Sequence, residues 1–287
     1  MNQQPLVPVT PADRACYERD GVVCLRGMFD HEWIARMGRA VDLAMDADHP
    51  LARTREITRT LGGTSGRYHI NTFVWPWHPD FRDWAMHSPC AEIAAQVLGA
   101  DEVRLFYDQV FVKEPDTAER TDWHHDLPFW PMRGNDIASV WVALTDVGPE
   151  NSQLEYVAGS HKWGKFYAAA VPDKDAHFRS GLEPCPDFSL RRDDPALRFL
   201  RWRMQAGDCL VHHPLVVHGS DGNFSPAMRR VAISTRYMGA DVRWDPRPAT
   251  FPITGDPQIA AGAYPADDDV FPVVWRRGDG HSAATTT

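Results

Sequence analysis

Two periodicities divide the chain. Up to about residue 100 the apolar positions recur at helical spacing, and beyond it they alternate or run unbroken, as strands do. Residues 11–20 read as a short helix, with Thr10 as N-cap, Pro11 at the first helical position and Gly21 as the stop. Val22-Val23-Cys24-Leu25 reads as a brief strand. Residues 30–46 place Trp33, Ile34, Met37, Val41 and Met45 on one helical face, capped by Asp30. Residues 89–99 give another helix, with Ile93, Ala94, Val97 and Leu98 on its apolar face. Between these helices, residues 51–66 are polar and end in Gly62-Gly63-Thr64-Ser65-Gly66, the pattern of a mobile loop or lid.

The strand region begins with Val103 to Lys113. Ile137 to Leu144 is almost wholly apolar, so it is expected to be buried on both faces. Leu154 to Val157, Leu197 to Met204, Asp208 to Val217 and Arg229 to Tyr237 complete the set. Short helices followed by many short strands predict a mainly β fold with helical additions: a jelly roll, or double-stranded β-helix, with an N-terminal helical layer. One domain is expected over residues 1–287. Its helical layer would span 10–100, its jelly-roll core 101–240, and a Pro-, Asp- and Gly-rich wrap and tail 241–287, fraying from Ala283.

Composition narrows the function classes. A chain of 287 residues with 43% hydrophobic and 24% charged residues has enough apolar material for a large core. Its net charge of −9, without basic runs, argues against a broad nucleic-acid-binding face. No apolar run reaches membrane-span length, and Met1 to Pro5 lack a signal-peptide pattern. Five scattered cysteines without a Cys-x-x-Cys pair read as reduced thiols. A cytoplasmic protein, monomer or homodimer, is the expectation.

The candidate chemistry lies in histidine. In His124-x-Asp126 an extended backbone turns an imidazole and a carboxylate to the same side. A third ligand must come from elsewhere. His218 ends a buried strand at a turn and is the best candidate; His212 and His213 are its rivals, and His213 precedes Pro214. Two histidines and one carboxylate form the open facial triad of non-haem Fe(II) oxygenases. On the last strand Arg229 shares the more apolar face with Val231, Ile233, Thr235 and Tyr237, so it is expected to point inward and require an anion. Ser220 is placed to donate to the same carboxylate. A metal beside a carboxylate clamp suits 2-oxoglutarate.

The run Thr121-Asp122-Trp123-His124-His125-Asp126-Leu127-Pro128-Phe129-Trp130 resembles the metal motif of the phytanoyl-CoA dioxygenase family. So do Val140 to Asp146, Glu150-Asn151, Gly159-Ser160-His161, Gly207 to Leu210, His218-Gly219-Ser220, Asn223 and Arg229-Arg230. The similarity extends over roughly residues 10–240. Asn151-Ser152-Gln153 stands where the family often has Asn-Gly, a departure that affects a turn and leaves the metal site undisturbed. The resemblance implies that His124, Asp126 and His218 bind Fe(II), and that Arg229 and Ser220 hold 2-oxoglutarate. It implies that Gln109 and Trp141 also contact this cosubstrate. Asp126 occupies the position where halogenating relatives carry Gly or Ala, so oxidation is expected over halogenation.

The reaction so implied uses O₂ and 2-oxoglutarate to oxidise, most simply to hydroxylate, a C–H bond of a small organic substrate, releasing succinate and CO₂. Trp75, Phe129 and Trp130 are candidates for a hydrophobic substrate pocket, set against ordinary core packing. Two other readings stand beside this one. A non-catalytic metal-binding jelly roll would need no arginine clamp, and a peptide or protein hydroxylase would need an open groove.

Overall fold

The computed structural model describes residues 1–46, 58–61, 66–168 and 181–278, the segment 58–61 by its backbone. Helix α1 (Pro11–Asp20) starts at Thr10, whose side chain accepts from the Asp13 N–H while Asp13 reaches back to the Thr10 N–H. It ends where Gly21 turns left-handed at φ 80°. Strand β1 (Val22–Leu25) and helix α2 (His31–Met45) follow, the latter capped by the Asp30 carboxylate. Then come β2 (Thr58–Leu61), β3 (Tyr68–Thr72), α3 (Pro79–His87) and α4 (Cys90–Leu98). The barrel strands are β4 (Glu102–Lys113), β5 (Thr121–His124), β6 (Met132–Arg133), β7 (Ile137–Ala143) and β8 (Leu154–Val157). They continue as β9 (Phe199–Arg201), β10 (Cys209–His212), β11 (His218–Ser220), β12 (Arg230–Met238), β13 (Arg243–Trp244) and β14 (Val273–Arg276).

Two antiparallel sheets face each other. The large one is ordered β1-β10-β7-β12-β4-β3-β2, with β14 added beside β4; the small one is β5-β11-β8-β9. Residues directly opposed in antiparallel strands share a face, so the register sorts every side chain. Val23, Val211, Val140, Val142, Ile233, Val110 and Val112 of the large sheet join Trp33, Met37, Trp84, Ile93 and Val97 of the helices in one apolar core. Trp84 fixes this layer by donating its indole N–H to Thr235 Oγ1 at 3.1 Å. The opposite face carries Leu210, Trp141, Ala143 and Ala232, which pack with Leu154 and Tyr156 of the small sheet. This is a jelly roll under a helical layer.

Several elements differ from expectation. Thr58–Leu61 pairs with β3, so part of the expected loop is strand; the rest of the glycine-rich segment, except Gly66, and the tail beyond 278 lie outside the described residues. The strand expected over 208–217 stops at His212 because Pro214 has no N–H for the ladder and the Val216 N–H turns back to the His213 carbonyl at 3.0 Å. The strand expected over 197–204 shortens to three residues. Helix α3, strand β3 and the edge strand β14 have apolar patterns too short to stand out in sequence. Among the described residues no helix is long and apolar enough to cross a membrane.

Asp108 anchors the entry to α3. Its Oδ1 accepts the N–H groups of Val74 and Trp75 at 2.8 and 3.1 Å. Its Oδ2 is buried without a hydrogen-bond partner, and burial pushes its pKa up to about 7 against those two backbone donors. A carboxyl raised from 3.8 to about 7 stabilises the fold fully below the lower value, and that stability is lost as pH rises to the upper one. Asp108→Asn, which mimics the neutral acid, is expected to remove this component, on the order of a few kcal/mol. Urea unfolding at pH 5 and pH 8 checks it: wild type should lose more stability than the variant. Equal losses would refute the assignment.

Candidate active site

His124 closes β5 and His218 opens β11, and the two are directly opposed in the sheet. Their ring centres are 4.3 Å apart. The His124 Nδ1 lies 2.7 Å from the Asp122 carbonyl, and the His218 Nδ1 lies 3.1 Å from that of Val216. A carbonyl only accepts, so each Nδ1 carries the proton and each Nε2 keeps its lone pair for a metal. Asp126 follows β5 by two residues. Its chain is held where the Leu127 N–H bonds the Pro214 carbonyl at 3.0 Å, and its carbonyl accepts from Phe129 at 3.0 Å. Its Oδ1 stands 3.5 Å from His124 Nε2. One ligand atom from each of His124, Asp126 and His218 falls within 4.8 Å of the others.

The second carboxylate oxygen of Asp126 is engaged on the other side. Oδ2 faces Ser139 Oγ at 3.5 Å, His212 Nε2 at 3.5 Å and the Arg236 guanidinium at 3.8 Å. Tyr156 meets His212 Nδ1 at 3.2 Å. Burial alone would raise the Asp126 pKa, but His124, His212 and the Arg236 charge hold it well below the ordinary carboxylate value. Burial and the neighbouring His124 keep His218 neutral. Two imidazoles and one carboxylate, with no thiolate, fit iron(II) and leave part of its coordination sphere open. His125 turns away and accepts the Tyr167 N–H at 2.8 Å. His213 lies apart, beside Tyr17 and His161.

The structure corrects the arginine. Arg229 precedes β12 and points outward, where it pairs with Asp42 of α2 and with Glu114. Arg230 is the inward residue, 1% exposed, with its guanidinium 5.6 Å from the Trp141 ring centre. Strand parity misled because the more apolar face of β12 is not the barrel interior. Val231, Ile233 and Tyr237 pack against the helices, while Arg230, Ala232, Ser234 and Arg236 face the small sheet. A barrel that houses polar chemistry inside and carries helices outside inverts the usual reading of polarity.

Ser220, two residues after His218, is buried and receives Lys113 Nζ at 3.1 Å and Ser152 Oγ at 3.2 Å. Gln109 is opposed to Ser234 and donates to Thr72 Oγ1 at 3.1 Å. Tyr107, Phe111 and Lys113 share its inward face, but a bulge beyond Tyr107 turns Leu105 to the helices, opposite Tyr237. Phe129 sets its ring edge-on to His124 at 6.1 Å. Trp130 and Trp75 belong to the apolar core, not to an open pocket: Trp130 commits its indole N–H to the Tyr107 hydroxyl at 2.9 Å, and Trp75 packs under Arg82. Sequence reasoning weighed His212 only as a rival metal ligand, not as a partner of Asp126, and missed Arg236 and Lys113. Counting by twos from Gln109 would have put Lys113 inside.

A jelly roll that gathers two histidines, a carboxylate and buried cations between its sheets has the architecture of the non-haem iron, 2-oxoglutarate-dependent dioxygenases. The chain belongs to the phytanoyl-CoA dioxygenase (PhyH) family, whose sequence profile matches residues 17–231. It is 25% identical over 241 residues to the multifunctional dioxygenase prhA of Penicillium brasilianum, covering 80% of this chain and 72% of that one. It is 28% identical over 245 residues to human peroxisomal phytanoyl-CoA dioxygenase, covering 82% and 70%. Rat peroxisomal phytanoyl-CoA dioxygenase and a probable phytanoyl-CoA dioxygenase of Caenorhabditis elegans are matched over 41% and 52% of their own length. Among solved structures, the epimerase SnoN from nogalamycin biosynthesis, in complex with Fe3+, alpha-ketoglutarate and nogalamycin RO, is similar with a TM-score of 0.70 and 25% identity, covering 92% of this chain and 98% of SnoN.

The groups around Asp126 Oδ2 orient the carboxylate, so their loss should be felt at the metal. Arg236→Leu is expected to weaken Fe(II) binding about 10- to 100-fold, as outer partners of metal ligands usually do. Anaerobic titration with a competing chelator measures this. Unchanged affinity in a folded variant would show that Arg236 does not support the site.

Proposed function

We propose that this protein is an Fe(II)- and 2-oxoglutarate-dependent dioxygenase that oxidises, most simply hydroxylates, a C–H bond of a small organic substrate. The overall change is R–H + 2-oxoglutarate + O₂ → R–OH + succinate + CO₂. The observation that carries this reading is the cross-strand meeting of His124 and His218 beside Asp126, with Ser220 and Arg230 farther in. His218 and Ser220 lie on the same face of β11, two residues apart, roughly 7 Å along an extended strand. A five-carbon 2-oxo diacid can bridge that gap, with its oxo acid end at the metal and its far carboxylate at the cation.

In this reading His124, Asp126 and His218 hold Fe(II), which with 2-oxoglutarate supplies the activation of O₂ needed for C–H oxidation. The rest of the chain positions and shields. Engagement of Asp126 Oδ2 by Ser139, His212 and Arg236 keeps this carboxylate from chelating through both oxygens, so coordination positions stay free. Arg230 and Ser220 fix the far carboxylate of the cosubstrate, with Trp141 packed against the guanidinium. Phe129, half-buried beside His124, gives the substrate an apolar wall. The complex of SnoN with nogalamycin RO supports a small organic substrate over a peptide. Asp126 fills the third ligand position, which supports oxidation over halogenation.

The test is succinate release together with the weak visible band that Fe(II) and 2-oxoglutarate form under anaerobic conditions. Wild type should show the band, and His218→Ala should abolish it. Arg230→Leu should raise the 2-oxoglutarate KM more than about tenfold, the scale of a lost charge-assisted bond. Arg229→Leu should change it little, because that residue ties α2 to the sheet. A large effect at Arg229 with none at Arg230 would overturn the assignment. No band in folded, iron-loaded wild type would overturn the function and favour a metal-binding scaffold without catalysis.

A further inference from the structure

Lys113 ends β4 with its side chain fully buried between the sheets. Its ammonium nitrogen lies 3.1 Å from Ser220 Oγ, 2.8 Å from the Asp221 carbonyl and 4.7 Å from the centre of the Tyr68 ring. Its direct cross-strand partner is Arg230, equally buried. The Arg230 Nε has no hydrogen-bond partner, and the guanidinium interacts with the Tyr68 hydroxyl. Among the described residues neither cation has a carboxylate within salt-bridge distance. Buried like charges set side by side are costly unless an anion joins them. Burial and the Arg230 charge accordingly drive the Lys113 pKa well below its ordinary value. Ser220 brings a hydroxyl to the same spot, and the polar ring of Tyr68 closes it.

We propose that Lys113 is a second cation of the cosubstrate clamp: with Arg230 and Ser220 it takes the distal carboxylate of the 2-oxo acid, and so sets the preference for a diacid. This inference rests on the dioxygenase reading above. One arginine suffices to neutralise one carboxylate. A second cation adds discrimination, because a 2-oxo acid without a far carboxylate leaves Lys113 and Arg230 facing each other with no anion between them.

The experiment titrates the anaerobic Fe(II)-loaded protein with 2-oxoglutarate and, separately, with 2-oxobutyrate, which lacks the distal carboxylate, following the visible charge-transfer band. Lys113→Met should weaken 2-oxoglutarate binding at least about tenfold, the scale of one charge-assisted hydrogen bond. It should leave 2-oxobutyrate unchanged or bound slightly more tightly. Lys113→Gln keeps donors for Ser220 and the Asp221 carbonyl while losing the charge, and should show the same selective loss; it stands in should the methionine variant fold poorly. Equal weakening of both oxo acids, or no weakening of either, would overturn the role of Lys113. A wild-type protein that forms no band with either acid would instead overturn the underlying function, and this proposal with it.

Discussion

Everything at the site depends on one register: β11 pairs with β5 so that His218 stands opposite His124. Neither residue could make a metal site alone, because each offers one ligand atom. The pairing brings their rings into contact, and the carbonyls of Asp122 and Val216 turn both toward the same point. A slip of one residue would put Gly219 opposite His124 and send His218 to the other face. The register is fixed on both flanks. Tyr156 and Glu155 of β8 pair with His218 and Gly219. Beyond Ser220, the chain closes through a bridge between Thr117 and Asn223. Gly222 allows that close approach, since a Cβ there would meet the Thr117 carbonyl at 2.6 Å.

Much of this was legible in the sequence, for definite physical reasons. The helix boundaries at Thr10, Gly21 and Asp30 rest on local capping, which needs no knowledge of the fold. The continuous apolar run of β7 announced a strand covered on both sides, and every residue of it is buried. His124, Asp126 and His218 were identified by spacing and resemblance, and the structure brings their ligand atoms together. What failed was the inference from polarity to inside and outside. On β12 the apolar side chains serve the helix interface, and the polar ones serve the barrel interior. Which face is which is a tertiary fact, and two adjacent arginines made the error easy. Lys113 was overlooked because a lysine at a strand end ordinarily reaches water.

The interior is consequently expensive. Lys113, Arg230, Arg236, Asp126 and the histidines occupy space that a purely structural sandwich would fill with aliphatic side chains. Two of their polar atoms, Nε of Arg230 and Nε of Arg236, find no hydrogen-bond partner. Unsatisfied buried groups of this kind cost about 1–3 kcal/mol each. The large sheet and its helices offset that cost through the apolar core on the other face. The fold thus separates two tasks by face: one side of the same strands supplies cohesion, and the other supplies chemistry.

The division between the two sheets has a further consequence. The long strands, up to twelve residues in β4, belong to the large sheet, while the histidines sit on the short strands of the small one. Short ladders open more readily than long ones, so the small sheet should be the less protected part of the barrel. An ion held by residues of both β5 and β11 would then act as a staple across the weakest seam. Because it binds the folded arrangement and not the opened one, it would draw the opening equilibrium toward closure. The catalytic centre and the mechanical fastening of the small sheet would be the same three side chains.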